Sequence, residues 1–162
     1  MSTLKPTGQA QYPLTAVFEF TMADAMKATS GTLTNFKATA GVFDVIPLPY
    51  GAIVMDGHFD VVVVSNDSGS STVTVGNSVD ADMWSDNTTI DLKTLGRTKL
   101  MKTGTVITAQ AVKLLGESVQ LTLANNTGDA TTGTFKLVIE FAIDGRSNEN
   151  LRIVDPASYL AA

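Results

Sequence analysis

An all-β fold, a single-domain β-sandwich or jelly roll with extended N- and C-terminal arms, is what this sequence predicts. Three observations carry the prediction. Short apolar–polar alternations recur along the chain, the cleanest over 135–143. Clusters of Gly, Pro, Asn and Asp separate them every 8–12 residues or so. The length, 162 residues, suits one domain, and no repeat of fixed period runs through it. Composition divides the chain into an N-terminal arm (1–15), a sandwich domain (16–150) and a C-terminal tail (151–162).

The arm is punctuated by Pro6, Gly8 and Pro13, and after Met1 its large apolar groups are Leu4, Tyr12 and Leu14. Over 16–21, Ala16, Phe18 and Phe20 face one way and Val17, Glu19 and Thr21 the other, as in a strand. The stretch 22–28 reads as a short helical turn, because Ala, Met and Lys favour helix. Residues 29–41 read as a loop or weak edge strand. A strand at 42–46 ends in Pro47-Leu48-Pro49-Tyr50-Gly51, a rigid corner, since two prolines one residue apart exclude a central ladder. From 53 to 63 a period of two runs through Gly57, which predicts one long strand or a closely coupled pair, with Gly57 at a bend or bulge. Beyond Asp60 both faces are valine, so that end is expected to be buried between layers or against a neighbouring chain.

Asn66-Asp67-Ser68-Gly69 is a turn, 71–75 a strand with Val73 and Val75 inward, and Gly76-Asn77 a second turn opening a polar loop to about 87. Short strands follow at 89–92 and 97–102 around Gly96. Residues 106–115 fit a short helix or an irregular strand. After the turn at Gly116-Glu117, Val119, Leu121 and Leu123 alternate with Gln120 and Thr122, and Asn125-Asn126-Thr127-Gly128-Asp129 turns the chain. The last strand places Phe135, Leu137, Ile139, Phe141 and Ile143 inward and stops at Asp144-Gly145.

Composition excludes more than it offers. The absence of cysteine removes thiol catalysis, iron–sulfur clusters and the usual structural zinc sites. Eleven basic against sixteen acidic residues, a net charge of −5, argue against nucleic acid as the main partner. No apolar run approaches the roughly 20 residues of a membrane span, and the N-terminal residues lack the apolar stretch of a secretory signal. The single histidine, His58, falls with Asp56 and Asp60 on one strand face, alternate residues lying roughly 6.8 Å apart. These are the weak candidates for a metal site, against the plainer reading of a solvated strand face. No Gly-x-Ser-x-Gly elbow accompanies His58, so a serine hydrolase is not expected. Asp80-Ala81-Asp82-Met83-Trp84-Ser85-Asp86 begins like a calcium loop but lacks the glycine and glutamate of an EF-hand. Trp84 is a residue for stacking on a sugar or, more commonly, for anchoring a loop to the core or a partner. Three Asn-x-Ser/Thr matches, at Asn66, Asn87 and Asn125, are chance matches in a chain without a signal. No cofactor is expected.

Three stretches carry a resemblance. Ile46-Pro47-Leu48-Pro49-Tyr50-Gly51-Ala52-Ile53-Val54 leads from a proline corner into a long strand. Thr74-Val75-Gly76-Asn77-Ser78-Val79-Asp80-Ala81-Asp82-Met83-Trp84 is a turn after a strand, and Phe141-Ala142-Ile143-Asp144-Gly145-Arg146-Ser147-Asn148-Glu149 closes the last strand. In that order, over roughly 42–150, they resemble the small virion proteins of tailed bacteriophages, the capsid decoration or cement proteins of short-tailed phages in particular. The resemblance implies a β-sandwich or jelly-roll body without enzymatic activity, made in the bacterial cytoplasm. It implies homotrimers or similar clusters seated on the outside of the virion and bound to the major capsid protein, neither nucleic acid nor membrane being a partner. Terminal arms then make the shell and neighbour contacts, which nominates Tyr12, Leu14, Tyr159 and Leu160, with Trp84 from the polar loop. The alternatives are a head- or tail-fibre knob that binds host glycan, a carbohydrate-binding module and, last, an enzyme.

Overall fold

The computed structural model describes residues 13–38, 40–85, 89–100 and 117–143. Among these there are ten strands and no helix: β1 (Leu14–Thr21), β2 (Ala25–Lys27), β3 (Leu33–Asn35), β4 (Gly41–Pro47), β5 (Ala52–Val63), β6 (Thr72–Gly76), β7 (Ile90–Asp91), β8 (Gly96–Lys99), β9 (Ser118–Ala124) and β10 (Thr134–Ile143). One four-stranded sheet has the order β1-β10-β5-β8 and the other β4-β9-β6-β7, with β2 and β3 forming a separate hairpin. Every pairing is antiparallel. With the hairpin set aside and the other eight strands renumbered in sequence, the sheets read 1-8-3-6 and 2-7-4-5. That is the wrapped order of a jelly roll.

The two inner faces share one core. Phe135, Leu137, Ile139, Phe141 and Ile143 of β10 all face it, the first three fully buried, as their alternation predicts. Phe20, Phe59 and Phe135 come from the first sheet and Phe43 from the second, and Phe36, just after β3, bridges them. Its ring centroid lies 4.4 Å from that of Phe20 and 4.5 Å from that of Phe43. The small hairpin therefore contributes to packing by delivering an aromatic wedge between the sheets.

Four expectations need correction. Residues 22–28 form no helical turn: a tight turn closes between Thr21 and Asp24, whose carboxylate accepts the Thr21 amide at 2.7 Å, and β2 follows. Local turn chemistry and pairing with β3 override a weak helix propensity. The sheet claims Leu14 and Thr15 from the predicted arm, because Leu14 pairs with Phe141 and Thr15 with Glu140. The long strand is bulged at Met55 rather than at Gly57, since Asp56 pairs with Glu140 but Val54 with Phe141. Inward positions accordingly switch from Ala52 and Val54 to Gly57, Phe59 and Val61. Gly57 instead permits close approach: a Cβ there would lie 2.7 Å from the Val138 carbonyl oxygen. Finally, the valine run is not buried within the subunit. Val61 is, but a second register shift leaves Val62 without a partner on β10, and Val62 and Val63 are exposed.

Candidate contact surface

The outer face of the first sheet is a charge ladder fixed by strand register. Glu19, Lys136, Asp60 and Arg97 lie side by side across β1, β10, β5 and β8. Lys136 Nζ meets Glu19 Oε1 at 2.9 Å, and Arg97 grips Asp60 with two bonds of 2.7 and 2.8 Å. The next row is Val17, Val138, His58 and Lys99, and the row beyond carries Glu140 and Asp56. Lys99 reaches Asp56 at 3.6 Å. Hydrogen bonding from Arg97 holds the Asp60 carboxyl below the usual aspartate range; burial opposes this, and the charges of His58, Arg97 and Lys136 reinforce it. Asp60 in turn raises the Arg97 guanidinium.

This accounts for the Asp56, His58 and Asp60 trio. The strand does place them together, with His58 Nε2 3.6 Å from Asp60 Oδ2. The two carboxylates are already engaged by cationic side chains, and Asp56 also accepts the Gly57 amide at 2.8 Å. Among the described residues no group of three His, Cys, Asp or Glu side chains is placed to hold a metal ion.

At one end of this face the ladder gives way to apolar groups. Val62, Val63 and Val64 are 54%, 45% and 37% exposed, and Leu95, on the turn before β8, is 67% exposed. The β5–β8 pairing ends at Val61 and Gly96, one residue from Val62 and Leu95. The backbone beneath these side chains is pinned. The Ser65 amide donates to the Leu92 carbonyl at 2.9 Å, and Thr132 Oγ1 donates to the Val64 carbonyl at 3.3 Å. These apolar side chains therefore stand in solvent on a hydrogen-bonded backbone.

A polar network that sequence reading missed does the pinning. Asp67 is 1% exposed. Its carboxylate accepts the amides of Gly69 (2.7 Å), Thr127 (3.0 Å) and Gly128 (3.2 Å) and the Thr127 hydroxyl (2.9 Å), tying the 66–69 turn to the 125–129 turn. Burial pushes its pKa up, but the hydrogen bonds from Thr127, Gly69 and Gly128 outweigh that and the net shift is downward. Asp129 is also held well below its ordinary value by the Ser68 hydroxyl and amide. Asn66 Oδ1 accepts the amides of Thr131 and Thr132, and Lys93 Nζ donates to the carbonyls of Asp67 and Gly69. Both turns were legible as turns; nothing local tells that they bond to each other across sixty residues of sequence.

Of the nominated contact residues, Leu14 opens β1 and is 37% exposed, and Trp84 is fully buried. Trp84 anchors its loop to the core, its amide donating to the Val75 carbonyl at 3.0 Å, and it has no surface to offer a neighbour in this conformation. Tyr12, Tyr159 and Leu160 lie outside the described residues, as do 106–115 and the segment after Ile143.

Fold and surface together define a jelly roll with a self-compensated charged face and a rigid apolar end. Two solved structures contain chains of similar fold. One is in the capsid asymmetric unit of cyanophage Pam1, at 13% sequence identity and a TM-score of 0.53, covering 88% of this chain and 94% of that one. The other is in the acidic stable capsid structure of Helicobacter pylori bacteriophage KHP30, at 16% identity and 0.52, covering 81% and 87%. No family model matches the chain, and no curated protein does.

Proposed function

We propose that this chain is a non-enzymatic structural component of a bacteriophage virion, a cement protein that binds the outside of the capsid and stabilises it. The observation that carries the reading is the near-complete mutual overlap with chains in two phage capsid structures. High coverage in both directions means that chains of similar length and the same fold occur in capsids. The pinned apolar end adds a surface of the kind that specific assembly uses. The net charge of −5 suits a body that stays soluble until it meets basic patches on a shell. The major capsid protein is the main partner. A homotrimer multiplies each modest contact through effective concentration.

The test compares particles with and without the protein in a thermal DNA-release assay. Shells lacking it assemble but release DNA at lower temperature. An unchanged release temperature together with lost adsorption to host cells overturns cement in favour of a fibre knob.

A further inference from the structure

We propose that the open edge of β1 is closed by the subunit's own run Leu151-Arg152-Ile153-Val154, which adds a fifth strand to the first sheet. This goes beyond the reading above and does not depend on any shell.

The argument begins with where the backbone of β1 points. The Met22 amide donates to the Gly133 carbonyl at 3.2 Å, on the β10 side, and the register from Leu14 to Thr21 has no shift. Even-numbered residues of β1 therefore bond β10, and the amides and carbonyls of Thr15, Val17 and Glu19 point away from it. Thr21 also points away, but the turn satisfies it: its amide donates to the Asp24 carboxylate and its carbonyl accepts the Asp24 amide. Among the described residues nothing bonds the edge-facing groups of Thr15, Val17 and Glu19. At the other sheet's β4 edge, by contrast, the Val42 carbonyl accepts the Thr29 amide. β7 has two residues and β8 four, so β1, with eight, is the longest edge. A long open edge is a template for one more strand. The inner face is incomplete at the same place, because Ala16 and Phe18 pack on the core but stay only partly buried.

Connectivity selects the occupant. Phe141 pairs with Leu14, so the chain leaves β10 beside the start of β1. The vacant position lies two strand spacings from β10, roughly 10 Å, and eight residues from Ile143 to Leu151 span up to about 29 Å. The run then lies parallel to β1, over the same five-residue length: Thr15 to Glu19 on one strand, Leu151 to Asp155 on the other. Pro156, with no N–H to give, ends the pairing. Leu151 and Ile153 alternate with Arg152 and Val154, so one face can cover Ala16 and Phe18. The N-terminal residues have no such alternation and are broken by Pro6 and Gly8. Residues 101–116 set out from Leu100, bonded to Gly57 at the opposite, β8 edge of the sheet. A second copy pays for association, whereas the short connection supplies an effective concentration on the order of millimolar.

Hydrogen exchange on the free full-length protein tests this. The Val17 and Glu19 amides are expected to exchange at least about ten-fold slower than in Ile153→Pro, which removes a donor from the added strand. Tyr159→Pro, in the same tail but past the run, is expected to leave them protected. Equal rates in the unmodified protein and Ile153→Pro overturn the proposal, whether both are fast or another segment protects both. Loss of protection in Tyr159→Pro overturns the assignment of the run. Protection that grows with protein concentration overturns it in favour of a second copy. Near-ultraviolet dichroism of the buried Trp84 and unchanged exchange of the β10 amides verify that each variant is folded. Cementing is tested on shells and this closure on the free subunit, so either can fail alone.

Discussion

Strand β10 and the far end of β5 are neighbours on one ladder, and both are written in aliphatic residues, yet one is the centre of the core and the other stands in water. β10 lies between β1 and β5, and its inward residues from Phe135 to Ile139 are fully buried. The end of β5 runs past its last pairing with β8, and the bulge at Val62 turns two successive valines outward. Apolar content is similar; what differs is the number of strands alongside and the continuity of register. A hydrophobic strand is buried by its position in a sheet, and where the sheet runs out the same composition becomes an adhesive surface.

The sharpest way to test that contrast is to truncate a side chain on each side of it. Ile139→Ala should cost about 2–5 kcal/mol in denaturant unfolding, the range for a large-to-small core change; a loss below half a kcal/mol would remove β10 from the centre of the core. Next in size is Asp67→Ala, which strips acceptors from three amides in the network that pins the apolar end and should cost about 1–3 kcal/mol. The depressed pKa of Asp67 gives that contribution a pH signature. It is present in full above the ordinary value of 3.8 and is lost as pH falls through the lower folded value. Stability should therefore decline in acid below roughly pH 4, and Asp67→Asn should flatten the decline; an unchanged acid profile would exclude Asp67 as its source. Gly57→Ala, which drives a methyl group against the Val138 carbonyl, should cost about 1–3 kcal/mol by overpacking the β5–β10 seam. A neutral result would mean the two strands separate there more easily than their register implies. Smallest is Val62→Ser, expected to change stability by no more than about 0.5 kcal/mol in denaturant unfolding. A large stability loss instead would place Val62 in the fold rather than on its surface.

The same contrast marks what the sequence made legible. β10, β9 and β6 were readable because strict alternation reports a sheet with one dry face. The proline corner was readable because proline's missing donor is a local fact. The bulges at Met55 and Val62 were not, since an extra residue is defined only against the partner strand. Ala25, Met26 and Lys27 suggested helix because propensity is weak beside the Thr21–Asp24 turn and the pairing with β3. Asp56, His58 and Asp60 were correctly grouped on one face, but the cations that engage the two carboxylates come from β8, some forty residues on. The Asp67 network was invisible for the same reason: its partners are tertiary.

The chain enters and leaves the sandwich through adjacent strands. Leu14 pairs with Phe141, so both terminal segments emerge side by side, with eight rungs between β1 and β10 lying beyond them. The direction of a mechanical load then decides how the sheet resists it. Pulling the two ends apart opens the ladder like a zip, one rung at a time, and meets little resistance. A pull between the Ile143 end of β10 and the Val62 end of β5 acts along the strands and loads the rungs of the β10–β5 ladder together in shear.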